Sequence, residues 1–178
     1  MKDDNKKNIV RIDTCELPCG TMLLGAIDDH LCLCDWHNQP CAERNKRRLA
    51  RLLNAEFREE TSDVLQQTKA ELQEYFEGKR KTFDIPLHPV GTDFQKSVWD
   101  ALRQIPYGET RTYKDIALQV DNLKGVRAVA QAIGANGIAI IIPCHRVIGS
   151  DHSLTGFAGG LNAKRILLEL ESAQSIPH

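Results

Sequence analysis

Apolar and polar positions change rhythm along the chain, and the change divides it near residue 85. Before that point, Ile9 to Asp13 and Met22 to Trp36 carry the spacing of short strands around the turn Pro18-Cys19-Gly20, with His30-Leu31-Cys32-Leu33-Cys34 as the clearest case. Glu43 to Asn54 then predicts a helix. Leu49, Leu52 and Leu53 give it one apolar stripe, while Arg44, Lys46, Arg47, Arg48 and Arg51 give it a basic face of the kind normally left in solvent. A second helix is capped by Ser62, repeats Val64, Leu65, Leu72, Tyr75 and Phe76 at helical spacing, and stops at Gly78. Strands followed by helices predict a small α/β domain over residues 1–85, and Phe83 to Pro89, with its two prolines, reads as the linker.

Residues 86–178 follow a helical rhythm. Thr92 and Gln95 are spaced as a capping box, and Phe94, Val98, Trp99, Ala101, Leu102 and Ile105 line the buried side of the helix it starts. Pro106-Tyr107-Gly108 stops that helix. Tyr113 to Val120 and Gly125 to Ala135 are short helical patterns on either side of Asp121-Asn122-Leu123-Lys124, which suggests a helix-turn-helix. Ile138 to Ile142 is continuously apolar and β-branched, so it predicts a buried strand leading into Pro143-Cys144-His145-Arg146. A Gly-rich segment from Gly149 to Gly160 precedes a last helix from about Asn162 to Ser172.

Composition narrows the class without naming a partner. The 178 residues carry 23 Lys and Arg against 24 Asp and Glu, a formal charge of −1, so no global excess of charge points to a polyanion. With 42% hydrophobic and 26% charged residues the chain is globular, which excludes disorder, collagen and a disulfide miniprotein. The start, MKDDNKKN, has no apolar core behind it and predicts no secretory signal. The longest charge-free stretch, Ala128 to Cys144, is broken by Gln131, Gly134, Asn136 and Gly137 and makes a poor membrane span. Six cysteines in such a chain are expected to be reduced thiols in the cytoplasm. Cys15, Cys19, Cys32, Cys34 and Cys41 lack the paired spacing of structural zinc, so packing is their expected role and no metal or cofactor is predicted.

Two places carry candidate chemistry. The second helix of the pair offers Ala128, Gln131, Ala132, Gly134 and Ala135 beside a single Arg127, which leaves little capacity to read bases. Small residues instead allow close backbone approach to a minor groove and its phosphates, with Arg127 as a long cation able to enter the duplex; the alternative, on spacing alone, is an ordinary surface arginine on a packing helix. The other place is Cys144. A thiol in apolar surroundings is hard to ionise, so a nucleophilic Cys144 needs a base, and His145 is its neighbour. Adjacent residues on an extended chain face opposite ways, so contact between them calls for a bridging water. A carboxylate on the last helix, Glu171 or Glu169, is available to orient the imidazole. The alternative is a packing thiol beside a surface histidine.

The string Ile140-Ile141-Ile142-Pro143-Cys144-His145-Arg146-Val147 closely resembles the acceptor-cysteine motif of the O6-alkylguanine-DNA alkyltransferases. Gly91-Thr92-Asp93-Phe94-Gln95, Ile105-Pro106-Tyr107-Gly108-Glu109-Thr110, Tyr113, Val126-Arg127-Ala128-Val129-Ala130, Asn136 and Gly156-Phe157-Ala158-Gly159-Gly160-Leu161 fall in the family's order and spacing. The resemblance is strong over residues 91 to about 171. It implies a ribonuclease H-like α/β domain followed by a mostly α, winged-helix-like domain. It further implies a monomer that binds the minor groove of double-stranded DNA and rotates an O6-alkylguanine out of the stack. The alkyl group then passes stoichiometrically and irreversibly to Cys144, and less efficiently from O4-alkylthymine.

By the same resemblance, His145 activates Cys144 through a water, Glu171 orients His145, and Tyr113 donates toward guanine N3. Arg127 fills the vacated stack, Ala128, Gln131 and Ala135 face the groove, and Asn136 ties the DNA-binding helix to the active-site strand. Val147, Phe157 and Ala158 form the guanine pocket. Phe157 stands where a tyrosine would supply a hydroxyl to the base. Neither the zinc ligands of some members nor the sensor domain of the adaptive-response regulator lines up, and the presence of Cys144 excludes the alkyltransferase-like proteins that lack it. Two rivals make different predictions: a DNA-binding regulatory module would leave the alkyl group on DNA, and a Cys-His hydrolase would turn over.

Overall fold

The structure is a computed structural model and describes residues 6–150 and 159–175. Three strands open it: β1 (Asn8–Leu17), β2 (Gly20–Ile27) and β3 (His30–Trp36), paired as an antiparallel meander. Gly20, at φ +126°, takes the first reversal in a conformation that L side chains rarely reach. Next, α1 (Pro40–Leu52) begins with a proline, whose missing N–H would have had no intrahelical partner there. It returns the chain to β4 (Ala55–Glu59), parallel to β1, and completes a mixed sheet in the order β3-β2-β1-β4. No strand is expected at β4 from the sequence. It is an edge strand with charges at Glu56, Arg58 and Glu59, a pattern that blocks further pairing and hides the strand signal.

The strong apolar run of β3 reflects cover on both faces of the sheet. On one side α1 buries Leu49 with Val10, Leu23 and Leu33. On the other, α2 (Asp63–Phe76), its first turn capped by the Ser62 hydroxyl accepting from the Leu65 N–H, packs Leu65, Leu72 and Tyr75 near Met22 and Leu24. The expected linker is not a free tether: the Leu31 N–H donates to the Pro86 carbonyl and the His88 N–H to the Leu31 carbonyl, both at 2.8 Å, along the open edge of β3.

The second half contains α3 (Asp93–Arg103), β5 (Arg111–Thr112), α4 (Tyr113–Gln119), α5 (Val126–Gly134), β6 (Val147–Ile148) and α6 (Leu161–Ser175). Thr92 and Gln95 form the expected capping box. The Trp99 indole N–H donates to the Ala132 carbonyl at 2.8 Å and locks α3 against α5.

One expected element is absent. Ile138–Ile142 is buried apart from the half-buried Ile141, but forms only a single bridge, Ile138 to Cys34, on the same β3 edge. The Cys34 N–H donates to the Gly137 carbonyl and the Ala139 N–H to the Cys34 carbonyl, both at 2.8 Å, and the chain then folds back through Ile140 at φ +71°. A β-branched residue in that region carries strain, which the surrounding contacts hold in place. The run is apolar because it is wedged between the sheet edge and the helices, which a strand pattern mimics. The two halves therefore share one core, from Cys15, Leu24 and Tyr75 to Trp99, Val129, Ile140 and Leu167. Among the described residues, no helix is long and apolar enough to cross a membrane.

Candidate active site

Cys144 stands at the start of a 3₁₀ turn, Cys144–Arg146, that follows the folded-back loop. The extended geometry expected for this stretch is corrected by that turn, which sends Cys144, His145 and Arg146 in different directions into the protein, all three buried. Burial pushes the Cys144 thiol up to about 11, against the Asn136 amide, which lowers it by hydrogen-bonding the sulfur. At neutral pH the sulfur is therefore protonated and needs a base.

His145 is 0% exposed and Glu171, from α6, is 1% exposed. Glu171 Oε2 lies 2.7 Å from His145 Nε2. Arg146 grips the same carboxylate with both prongs, Nε to Oε1 at 2.8 Å and Nη2 to Oε2 at 3.0 Å, and its Nη1 donates to the Ile105 carbonyl at 2.7 Å. The Tyr75 hydroxyl, arriving from α2, donates to Oε2 at 2.6 Å. Burial would raise the Glu171 pKa, but the donors on it, His145 and Arg146 above all, win and hold it at about 2. An ionised carboxylate only accepts, so Nε2 of His145 carries the proton. Burial also lowers the His145 pKa, against the opposing pull of Glu171, so the ring is neutral at pH 7. Its Nδ1 is left as a buried lone pair without a hydrogen-bond partner among the described residues. A buried imidazole nitrogen left open in this way is free to accept a proton. Glu169 is exposed, which resolves the choice between the two carboxylates.

Asn136 lies just beyond the C-cap of α5, Ala135. Its Nδ2 donates to the Ile142 carbonyl at 2.9 Å, and its Oδ1 accepts from the Ile138 N–H at 3.0 Å, so one side chain pins both ends of the loop that carries Cys144. Tyr113 reaches the same neighbourhood by strand pairing: Arg111 and Thr112 of β5 pair with Val147 and Ile148 of β6, the residues that leave the cysteine turn. A capping box, Thr112 with Asp115, fixes Tyr113 at the first position of α4, half-buried. Val147 is buried and its carbonyl accepts from Lys164 Nζ at 2.6 Å. Phe157 and Ala158 lie outside the described residues.

On α5, Arg127, Ala128, Gln131 and Gly134 are exposed and Ala135 half-buried, whereas Val129, Ala132 and Ile133 face the core. The expected groove face is thus one continuous surface. The end of this helix is held from α1. Arg44 Nη2 donates to the Gly134 carbonyl at 3.2 Å and Arg48 Nη1 to the Ala135 carbonyl at 2.7 Å, so the basic face of α1 is only partly the solvent face that its sequence predicts.

Residues 10–89 match the ribonuclease-like domain, and residues 93–173 the DNA binding domain, of 6-O-methylguanine DNA methyltransferase. The chain belongs to that family. Within the methyltransferase family, it is 42% identical to the constitutive methylated-DNA–protein-cysteine methyltransferase of Bacillus subtilis, over 89% of this chain and 93% of that one. A Methanosarcina barkeri methylated-DNA–protein-cysteine methyltransferase is 56% identical over 63% of this chain and 71% of its own. The crystal structure of the Mycobacterium tuberculosis O6-methylguanine methyltransferase superposes with a TM-score of 0.80 at 38% identity, covering 95% of this chain and 96% of that one. A Mycobacterium tuberculosis relative in complex with DNA superposes at 0.78, with 38% identity and 93% and 94% coverage.

Sequence reasoning assigns no role to Arg146, Tyr75 or Lys164. Arg146 lies within the recognised motif, so its position gives a signal. Tyr75 has none, being one more aromatic on an apolar stripe, 96 residues from its partner Glu171. Among the described residues, no group of three or more His, Cys, Asp or Glu is placed to hold a metal ion.

Proposed function

We propose that Cys144 accepts the alkyl group when this methyltransferase repairs O6-alkylguanine in DNA. The observation that carries the reading is the unpartnered, buried Nδ1 of a neutral His145, whose other nitrogen is committed to an ionised Glu171. The Cys144 proton passes through a bridging water to Nδ1 as sulfur attacks the alkyl carbon. The carbon to O6 bond breaks, its electron pair stays with guanine, and Tyr113 supplies a proton toward N3 as the base leaves. His145 then returns the proton to Tyr113. The product thioether has no easy hydrolytic exit, so each chain acts once, on O4-alkylthymine more slowly than on O6-alkylguanine.

The two units, residues 1–85 and 86–178, divide the work. The α4–α5 pair meets the minor groove of a duplex as a monomer, with Ala128, Gln131 and Ala135 against the backbone and Arg127 in the space left by the extruded nucleotide. Extrusion costs a few kcal/mol, and a weakly paired lesion reduces that cost. Val147, Phe157 and Ala158 form the pocket and Asn136 the strut that keeps Cys144 facing it. Six unbridged thiols suit a reducing compartment, and the cytoplasm is the setting we infer.

The test is intact mass and peptide mapping after incubation with duplex carrying O6-methylguanine. The expected result is one added CH₂ unit per chain, confined to the Cys144 peptide, with methyl removal stopping at one equivalent. Continued turnover, or binding with no mass gain, would overturn the reading.

A further inference from the structure

Arg44, Arg47, Arg48 and Arg51 recur at spacings of three and four residues, which gathers them on one side of α1. Arg44, Arg47 and Arg51 are exposed and Arg48 is half-buried. None of the four forms an ion pair among the described residues. Burial, and then the neighbouring charges of Arg44 and Arg51, lower the Arg48 pKa, so the stripe repels itself. Such a cluster is stable where a polyanion relieves it.

Its location says which polyanion. Arg44 and Arg48 are fastened to the last carbonyls of α5, so the stripe begins where the groove-facing surface ends. A helix of nine residues is about 14 Å long, the minor groove is about 6 Å wide, and duplex DNA carries a charge every ~1.7 Å of its axis. A stripe held at the far end of a helix of that length from Arg127 lies beyond the width of the groove, on the scale of the backbone that flanks it. Of the four, Arg47 and Arg51 hold no protein carbonyl among the described residues, unlike Arg44 and Arg48.

We infer that α1 extends the duplex-binding surface, Arg47 and Arg51 neutralising backbone phosphates beside the lesion, so that the N-terminal unit supplies sequence-independent affinity. The inference rests on the reading that α5 faces the groove. The experiment uses the full chain and an undamaged duplex, with affinity measured across a salt series for the wild type, for an Arg47→Gln, Arg51→Gln double variant, and for Ala128→Glu on α5. The double variant should bind more weakly and lose about 1.8 from the slope of log affinity against log salt, at about 0.9 per phosphate released. Its thermal midpoint should not fall below that of the wild type, because among the described residues neither side chain makes an ion pair or hydrogen bond that the substitution removes, and fewer like charges remain on the stripe. An unchanged slope, with Ala128→Glu weakening binding, overturns the inference and leaves the α5 reading standing. If Ala128→Glu has no effect, the α5 reading fails and the inference with it.

Discussion

Glu171 shows how much one buried oxygen can organise. Its Oε2 receives His145, Arg146 and the hydroxyl of Tyr75, so the carboxylate that holds His145 is itself set by the N-terminal half of the chain. Replacing Tyr75 by Phe removes a hydrogen bond to a charged group and should cost about 1.5–3 kcal/mol in urea unfolding. A carboxylate with one donor fewer is more basic and stabilises imidazolium better, so the acid limb of the rate of transfer to Cys144 should move to higher pH. A stability loss with an unmoved limb would make Tyr75 a packing residue only. At this scale the sequence discloses what lies within the motif and little beyond it. Cys144 and His145 are legible because they are adjacent, and Asn136 because the family pattern includes it. Glu171 is separable from Glu169 only by burial, and Tyr75 is invisible because its polar end shows only once the halves have closed.

Among elements, α5 depends most on its neighbours. It has nine residues, no side-chain N-cap and no basic residue in its last turn. An isolated helix of that length does not persist in water, so its stability is tertiary. Trp99 holds its third-last residue, while Arg44 and Arg48 hold the end, where cations also complement the helix dipole. Arg48→Ala should therefore lower stability by about 1–2 kcal/mol, the loss of one partly exposed charged hydrogen bond. It should weaken duplex binding while leaving reaction with free O6-alkylguanine unchanged; equal losses in both assays would mean that α5 is not what Arg48 positions. Helices with caps and stops, such as α2 and α3, were legible in the chain because their signals are local. The loop at Ile138–Ile142 was not, because a continuous apolar run reports burial without reporting which neighbour buries it. The single bridge to β3 and the left-handed turn at Ile140 are decided by the sheet edge, far away in sequence.

The whole molecule responds to pH through groups that folding hides. His145 is buried neutral, so below pH 6.5 the unfolded chain takes up a proton that the folded one resists, and stability declines from there. Glu171 falls from 4.5 to about 2 on folding; its stabilisation is complete above 4.5 and lost as pH drops toward 2. On the alkaline side Cys144 moves from 9 to about 11 and Cys19 likewise, so the folded state keeps protons that the unfolded state releases, and stability falls as pH rises between those values. Urea unfolding over pH 3 to 11 should trace a plateau between about 6.5 and 9 with a decline on each side. Glu171→Gln should lower the plateau and flatten the fall below pH 4.5. Methylated protein, whose Cys144 no longer titrates, should lose part of the alkaline decline, and an identical decline before and after reaction would place the acceptor sulfur somewhere other than this buried turn.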